Sequence, residues 1–219
     1  MIGMRRVIIC VLMIVGSITT LLAQNDTKAK AILSDVSKKY KSFDIIKADF
    51  TALINNPEAN IKETQSGTLY VKSKANKYKV VMNEQELFSD GKNQWTYLKE
   101  DKEVQLSEVD NNSNSINPAK IFTIYEKGFK YLFTGDTKSN GRTYHNIDLT
   151  PVDGKSSFFK VRLKIDKLTK LIDSATIFDK NGSRFTYTIK NFTPNIKVLD
   201  TFFAFDAKKY PGVEVVDLR

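Results

Sequence analysis

The stretch Phe159-Lys160-Val161-Arg162-Leu163-Lys164-Ile165 sets an apolar residue at every second position and a basic residue between each pair. A period of two belongs to a β-strand, and here it gives one apolar and one charged face. The same alternation runs through Ile46, Ala48, Phe50, Ala52 and Ile54, with Lys47, Asp49 and Thr51 between them. It returns in Tyr78, Val80 and Met82 beside Lys77 and Lys79, and in Phe185, Tyr187 and Ile189 among Arg184, Thr186, Thr188 and Lys190. Asp90-Gly91, Asn140-Gly141, Asp153-Gly154 and Asn181-Gly182 punctuate these runs and suit the positive φ of tight hairpin turns. The connections are short, so neighbouring strands are predicted to pair antiparallel. Runs and turns together predict a mainly β chain of about eleven strands, a number that favours one large curled sheet or open barrel over a small sandwich.

Such a barrel could face water or lipid, and the charges decide. Lys47, Lys79, Lys160, Arg162, Lys164 and Lys190 occupy outward positions. A basic side chain at the midplane of a membrane costs about 2 to 4 kcal/mol, so an outer-membrane barrel is excluded and the apolar face points inward. Two helical segments need that face. Ala29, Ile32, Leu33, Val36 and Tyr40 recur at three- and four-residue steps behind Asp26 or Thr27 as a cap. The polar run Asp110 to Ser115 reads as a loop, and Asn117-Pro118 then opens a predicted short helix through Ala119 to Glu126, with Ile121, Phe122, Ile124 and Tyr125 as its apolar residues.

Ahead of all this, Arg5 and Arg6 precede the uncharged run Val7 to Val15, and Gly16, Ser17, Thr19 and Thr20 lead to Ala23. This is the layout of a secretory signal, too short and too interrupted for a membrane span. Cleavage after Ala23 is predicted, which makes residues 1–23 a removed signal peptide, residues 24–219 a single domain and the periplasm the compartment. Cys10, the one cysteine, lies inside the apolar run with no small residue before it and is discarded with the signal. The fold then stands on its core without a disulfide. The whole chain carries a formal charge of +9, and +7 remains once Arg5 and Arg6 are lost, as suits a solvated surface with some attraction to anionic headgroups or acidic partners.

The chain offers little to catalysis. His145 is the only histidine, so zinc sites built from His and Cys cannot be assembled. No calcium-loop spacing, phosphate-cradling glycine loop or Gly-x-Ser-x-Gly nucleophile motif occurs. A structural role suits His145, and no enzyme, metal or cofactor is predicted. What a plain core does not explain is the aromatic load at positions read as inward, namely Phe50, Tyr78, Phe159, Phe185 and Tyr187, with Trp95 and Tyr97 on a further strand. A sheet of this many strands can enclose more volume than its side chains fill, which points to an apolar ligand pocket.

Several segments, in order, resemble the LolA family of periplasmic lipoprotein carriers. They are Ala48-Asp49-Phe50, Gly67-Thr68-Leu69-Tyr70-Val71-Lys72, Ser89-Asp90-Gly91-Lys92 with Trp95-Thr96-Tyr97, Asn117-Pro118, and Phe205 followed by Pro211-Gly212-Val213-Glu214-Val215-Val216-Asp217. The resemblance covers almost the whole chain after the signal. It implies an incomplete antiparallel β-barrel with an α-helical lid over an apolar cavity. Members take the acyl chains of lipoproteins from an inner-membrane lipoprotein-releasing ABC transporter and deliver them to an outer-membrane acceptor.

Carried onto this sequence, the resemblance places the cavity among Phe50, Leu69, Val71, Tyr78, Val80, Met82, Trp95, Tyr97, Phe122, Val161, Leu163, Ile177, Phe185 and Tyr187, and the lid at Ile32, Val36, Ile121 and Phe122. A monomeric carrier without cofactor or nucleic acid is implied. The alternative is a related periplasmic module that binds another lipid or glycolipid, or an envelope-stress sensor. One departure concerns the lid. Many family members carry an arginine shortly after the strand matching Leu69 to Lys72 that holds the empty form closed, whereas here Ser73-Lys74-Ala75-Asn76 stands there, and a lysine ammonium lacks the guanidinium fork. An anchored receptor of this fold would need a lipidated cysteine after its signal, so the soluble carrier fits better.

Overall fold

The computed structural model describes residues 26–109 and 121–219. The signal segment, the loop from Asp110 and the Asn117-Pro118 helix start therefore lie outside the described residues. Twelve strands form one sheet: β1 Ile46–Asn56, β2 Ile61–Lys72, β3 Lys77–Met82, β4 Gln85–Ser89, β5 Asn93–Leu98, β6 Glu103–Glu108, β7 Phe129–Ser139, β8 Arg142–Pro151, β9 Phe158–Asp166, β10 Ile172–Asp179, β11 Arg184–Pro194 and β12 Glu214–Asp217. Their order is β12-β6-β5-β4-β3-β2-β1-β11-β10-β9-β8-β7, so among the described residues β7 and β12 are the edges and the barrel stays open. All pairs are antiparallel except β12, which adds parallel to β6.

All four expected turn dipeptides lie in strand connections. Gly91, Gly141 and Gly182 use positive φ, and Gly154 does not. At Gly91 the need is steric as well, because a Cβ would sit 2.6 Å from the Ala75 carbonyl oxygen. Asp90 fixes that turn by accepting from the Lys92 and Asn93 backbone N–H groups at 2.9 and 2.7 Å.

Helix α1 runs through residues 26–41, and Asp26 and Thr27 are already within it, so neither is its cap. Its buried stripe, Ala29, Leu33, Val36 and Tyr40, joins the core built on the concave face of the sheet. Lys28 lies over the Phe133 ring of β7 at 3.8 Å, and the Tyr40 hydroxyl accepts from the Ile172 backbone N–H of β10 at 3.0 Å. The helix therefore crosses β7 to β10 and fills that half of the concavity. Burial pushes the Tyr40 phenol well above its ordinary value.

The β6–β7 connection is the second covering element. β6 and β7 sit on opposite sides of β1, and the described part of their connection packs on the concave face, where Phe122 and Tyr125 are buried. Its described part is a turn at 121–123 and a 3-10 helix Ile124–Glu126, in place of the α-helix expected as far as Glu126.

Two expectations about side-chain direction are corrected. Phe159 is 50% exposed and Phe158 is buried instead, because β9 slips register against β10 between the pairs Phe178–Lys160 and Asp179–Phe158. That bulge shifts the alternation by one residue and turns Phe159 outward against Phe178, with ring centroids 6.1 Å apart. Trp95 and Tyr97 pair across the ladder with Phe88 and Glu86, which share the face of Lys79, opposite to Val80 and Leu87. The C-terminal segment covers that outer face. Phe205 and Tyr210 pack on Phe88 and Tyr97, Phe202 on Tyr70, and a second apolar layer forms with Val104, Leu106 and Phe203 buried.

Elsewhere the outer face is charged, as its alternation requires. Arg162 forks onto Asp148 directly opposite, at 2.6 and 2.8 Å. Lys164 pairs with Asp173 at 3.1 Å, and under the C-terminal segment Lys79 pairs with Glu86 at 3.1 Å.

Candidate functional site

Where α1 does not reach, the concave face stays unfilled. A cavity of about 290 Å³ lies between the sheet and the segment at 121–122. Its floor is Phe50, Ala52 and Ile54 of β1, Leu69 of β2, Val80 and Met82 of β3, Leu87 of β4, Ile172 and Ala175 of β10, and Tyr187 and Ile189 of β11; Ile121 and Phe122 are its roof. Gln65 and Gln85 are its only side-chain amides among the described residues. Both also line, with Met82, Glu63 and Glu84, an adjoining polar groove of about 370 Å³. The site is thus an apolar slot with one polar end, a form that suits an amphiphile more than a polar metabolite.

Gly67 sets one wall. It stands directly across the ladder from Phe50, and a Cβ there would approach the Phe50 ring to 2.9 Å and the Val81 carbonyl oxygen to 2.8 Å. Only glycine lets the ring lie over the strand in this position.

Of the residues predicted for the cavity, Phe50, Leu69, Val80, Met82, Phe122 and Tyr187 line it. Val71, Tyr78, Val161, Leu163 and Ile177 are buried in the filled core, and Phe185 packs against it. They share the concave face but sit where other side chains already occupy the space. Trp95 and Tyr97 lie on the other side of the sheet. In the predicted lid, Ile121 and Phe122 roof the cavity, while Ile32 and Val36 pack α1 onto the filled half. Ala52, Ile54, Leu87, Ile172, Ala175 and Ile189 were missed as lining, although alternation already set Ala52, Ile54 and Ile189 inward. Gln65 and Gln85 carried no signal, since an amide inside an apolar slot breaks the alternation that would have found it.

The roof is tied down by groups other than the family's arginine. Lys74 is exposed, and no hydrogen bond or ion pair joins it to the described lid residues. Phe122 stacks on Tyr40 of α1 with centroids 4.8 Å apart, worth about 0.5 to 1.5 kcal/mol beyond burial. Glu126 accepts from the Ser37 hydroxyl and pairs with Lys41 at 2.8 Å, both on α1. Burial acts to raise the Glu126 carboxyl, but the hydrogen bonds from Lys41 and Ser37, with the charges of Lys41 and Lys127, outweigh it and hold the group below the usual glutamate value. A depressed carboxylate stabilises at pH above its unfolded value and stops doing so as pH falls through its folded one. The tie is therefore present at neutral pH and is lost in acid, below the usual glutamate range. Glu126→Ala is expected to speed entry and release of a fluorescent acyl probe about two- to fivefold at neutral pH, the scale of a partly exposed ion pair. Stopped-flow fluorescence measures it, and unchanged rates would show that the roof is held by Tyr40 and Phe122 alone.

Residues 38–206 match the family model described as outer membrane lipoprotein carrier protein LolA. A domain described as an outer membrane lipoprotein-sorting protein, from Vibrio parahaemolyticus, superposes with a TM-score of 0.52 at 12% identity, over 82% of this chain and 97% of that one. An uncharacterized conserved protein from Thermus thermophilus does so with a TM-score of 0.54 at 14% identity, over 87% and 99%. At these identities the likeness is one of fold. No curated protein matches the sequence.

Proposed function

This chain belongs to the LolA family of outer membrane lipoprotein carrier proteins, and from that premise we propose that it is a periplasmic carrier whose cavity shelters the acyl chains of lipoproteins between inner and outer membrane. The observation that carries this reading is the apolar slot of about 290 Å³ beneath the Ile121 and Phe122 roof. Each methylene left in water costs about 0.8 kcal/mol relative to burial, so a lipoprotein released from a membrane needs such a shelter. The acyl chain enters the slot, and Gln65 and Gln85 meet its polar end at the adjoining groove. The small volume favours loose holding, as a carrier that must surrender its cargo requires.

On this reading Arg5, Arg6 and the apolar run to Val15 direct export, the working protein begins near Gln24, and the cargo comes from an inner-membrane lipoprotein-releasing ABC transporter. The carrier acts as a monomer and performs no chemistry. Depletion in the native host is expected to strand lipoproteins in the inner membrane, read by fractionation and immunoblotting of an outer-membrane lipoprotein. Unchanged sorting in a clean deletion with no related gene would transfer the reading to a module for another lipid or glycolipid.

A further inference from the structure

The two ends of the sheet differ in charge. The connections at one end, residues 42–45, 73–76, 90–92, 140–141, 167–171 and 195–199, carry Lys74, Lys92, Lys167, Lys170 and Lys197 against Asp44 and Asp90. Those at the other end, residues 57–60, 83–84, 99–102, 152–157 and 180–183, carry four lysines against five carboxylates. Ile54, Gln65, Met82 and Gln85 place the polar end of the cavity at this second end, so the basic end is not its polar mouth.

Within the basic end, the β7–β8 and β9–β10 hairpins stand side by side, because β8 pairs with β9. Leu168, at the β9–β10 tip, is 90% exposed, the most of any large apolar residue described. Asp166 builds the tip by accepting from the Leu168 and Thr169 backbone N–H groups, each at 2.9 Å. At Leu168 a cleft of about 360 Å³ opens between the hairpins, lined by Gly141, Arg142, Thr143, Asp166, Lys167, Leu168 and Thr169, two basic residues against one carboxylate. Arg142 gives one N–H to Asp166 and Lys167 one to Asp136, each at 3.3 Å, and the other side-chain donors of both are unengaged among the described residues.

We propose that this tip docks the protein on a membrane surface, with Leu168 entering the acyl boundary and an anionic phospholipid headgroup held in the cleft by Arg142 and Lys167. A lone leucine projecting from a turn is a poor centre for a protein interface, which needs a contiguous apolar patch. It is a good wedge for a bilayer, which yields around it. Basic groups set beside an exposed apolar side chain are the combination that an anionic lipid surface retains. Docking by this end leaves the polar end of the cavity free for a partner.

The test uses the protein as purified from its native envelope and vesicles of phosphatidylcholine with or without phosphatidylglycerol. Co-sedimentation with the phosphatidylglycerol vesicles is expected, weakened by salt, and Leu168→Ser is expected to weaken it about tenfold. Arg142→Gln with Lys167→Gln, which removes the two cations of the cleft, is expected to weaken it as well. Acyl-probe uptake should be unchanged in both variants, so loss of docking is separable from loss of the cavity. Equal binding to neutral vesicles, no binding to either, or full retention in Leu168→Ser would each overturn the proposal. Complete competition by soluble glycerol phosphate with no effect of Leu168→Ser would also overturn it, by assigning the cleft to a free small anion.

Discussion

Val80→Phe is expected to weaken binding of a fluorescent acyl probe at least about tenfold while leaving the thermal midpoint within a few degrees of the parent. Val80 lines the cavity, so the added ring grows into space that the ligand would use. Val161→Phe supplies the contrast. Val161 is only 1% exposed and lies in the core, apart from the cavity. The same enlargement there overpacks and is expected to cost about 1 to 3 kcal/mol. A probe titration and a thermal melt on each variant separate the two. Equal loss of stability in both, with no probe binding by the parent, would mean that the slot is ordinary core.

A larger effect on stability is expected on the opposite face of the sheet. Phe203→Ala should cost about 3 to 5 kcal/mol, measured by urea denaturation, because Phe203 is fully buried in the layer that the C-terminal segment adds outside β2 to β6. Around it Tyr210 donates to Glu86 at 3.2 Å, and burial together with the Glu86 charge pushes the Tyr210 phenol up to about 12. Probe affinity of the folded variant should match the parent, since the cavity lies across the sheet. A cost below about 1 kcal/mol would show that the C-terminal segment only rests on the surface.

These two faces show what the sequence could and could not say. Alternation located the strands and assigned inward positions such as Phe50, Ala52, Val80 and Tyr187, because a half-buried strand must show its period. The Asp-Gly and Asn-Gly pairs located the hairpins for an equally local reason. Alternation does not say which face of a strand is the cavity face. On β5 the apolar set Trp95 and Tyr97 faces outward, since the aromatic run Phe202, Phe203, Phe205 and Tyr210 returns from far along the chain to cover it. That run has no strand or helix period, and its need for a surface was the one available hint.

Phe159 shows a second limit. The alternation that begins with it is unbroken in sequence, yet a bulge at its first residue exchanges it with Phe158. Bulges arise from the partner strand's register, which a single strand does not encode. The boundary between core and cavity was equally hidden. Val161 and Leu163 read the same as Val80, and only the path of α1 over β7 to β10 fills the space above one pair and leaves it above the other.

Native mass spectrometry of the protein purified gently from its own envelope, followed by extraction and identification of what it carries, tests acyl-chain sheltering most directly. An acylated lipoprotein is predicted to be bound in the parent protein and absent from Val80→Phe. A parent protein that is always empty, or that carries only a polar metabolite untouched by Val80→Phe, would contradict it.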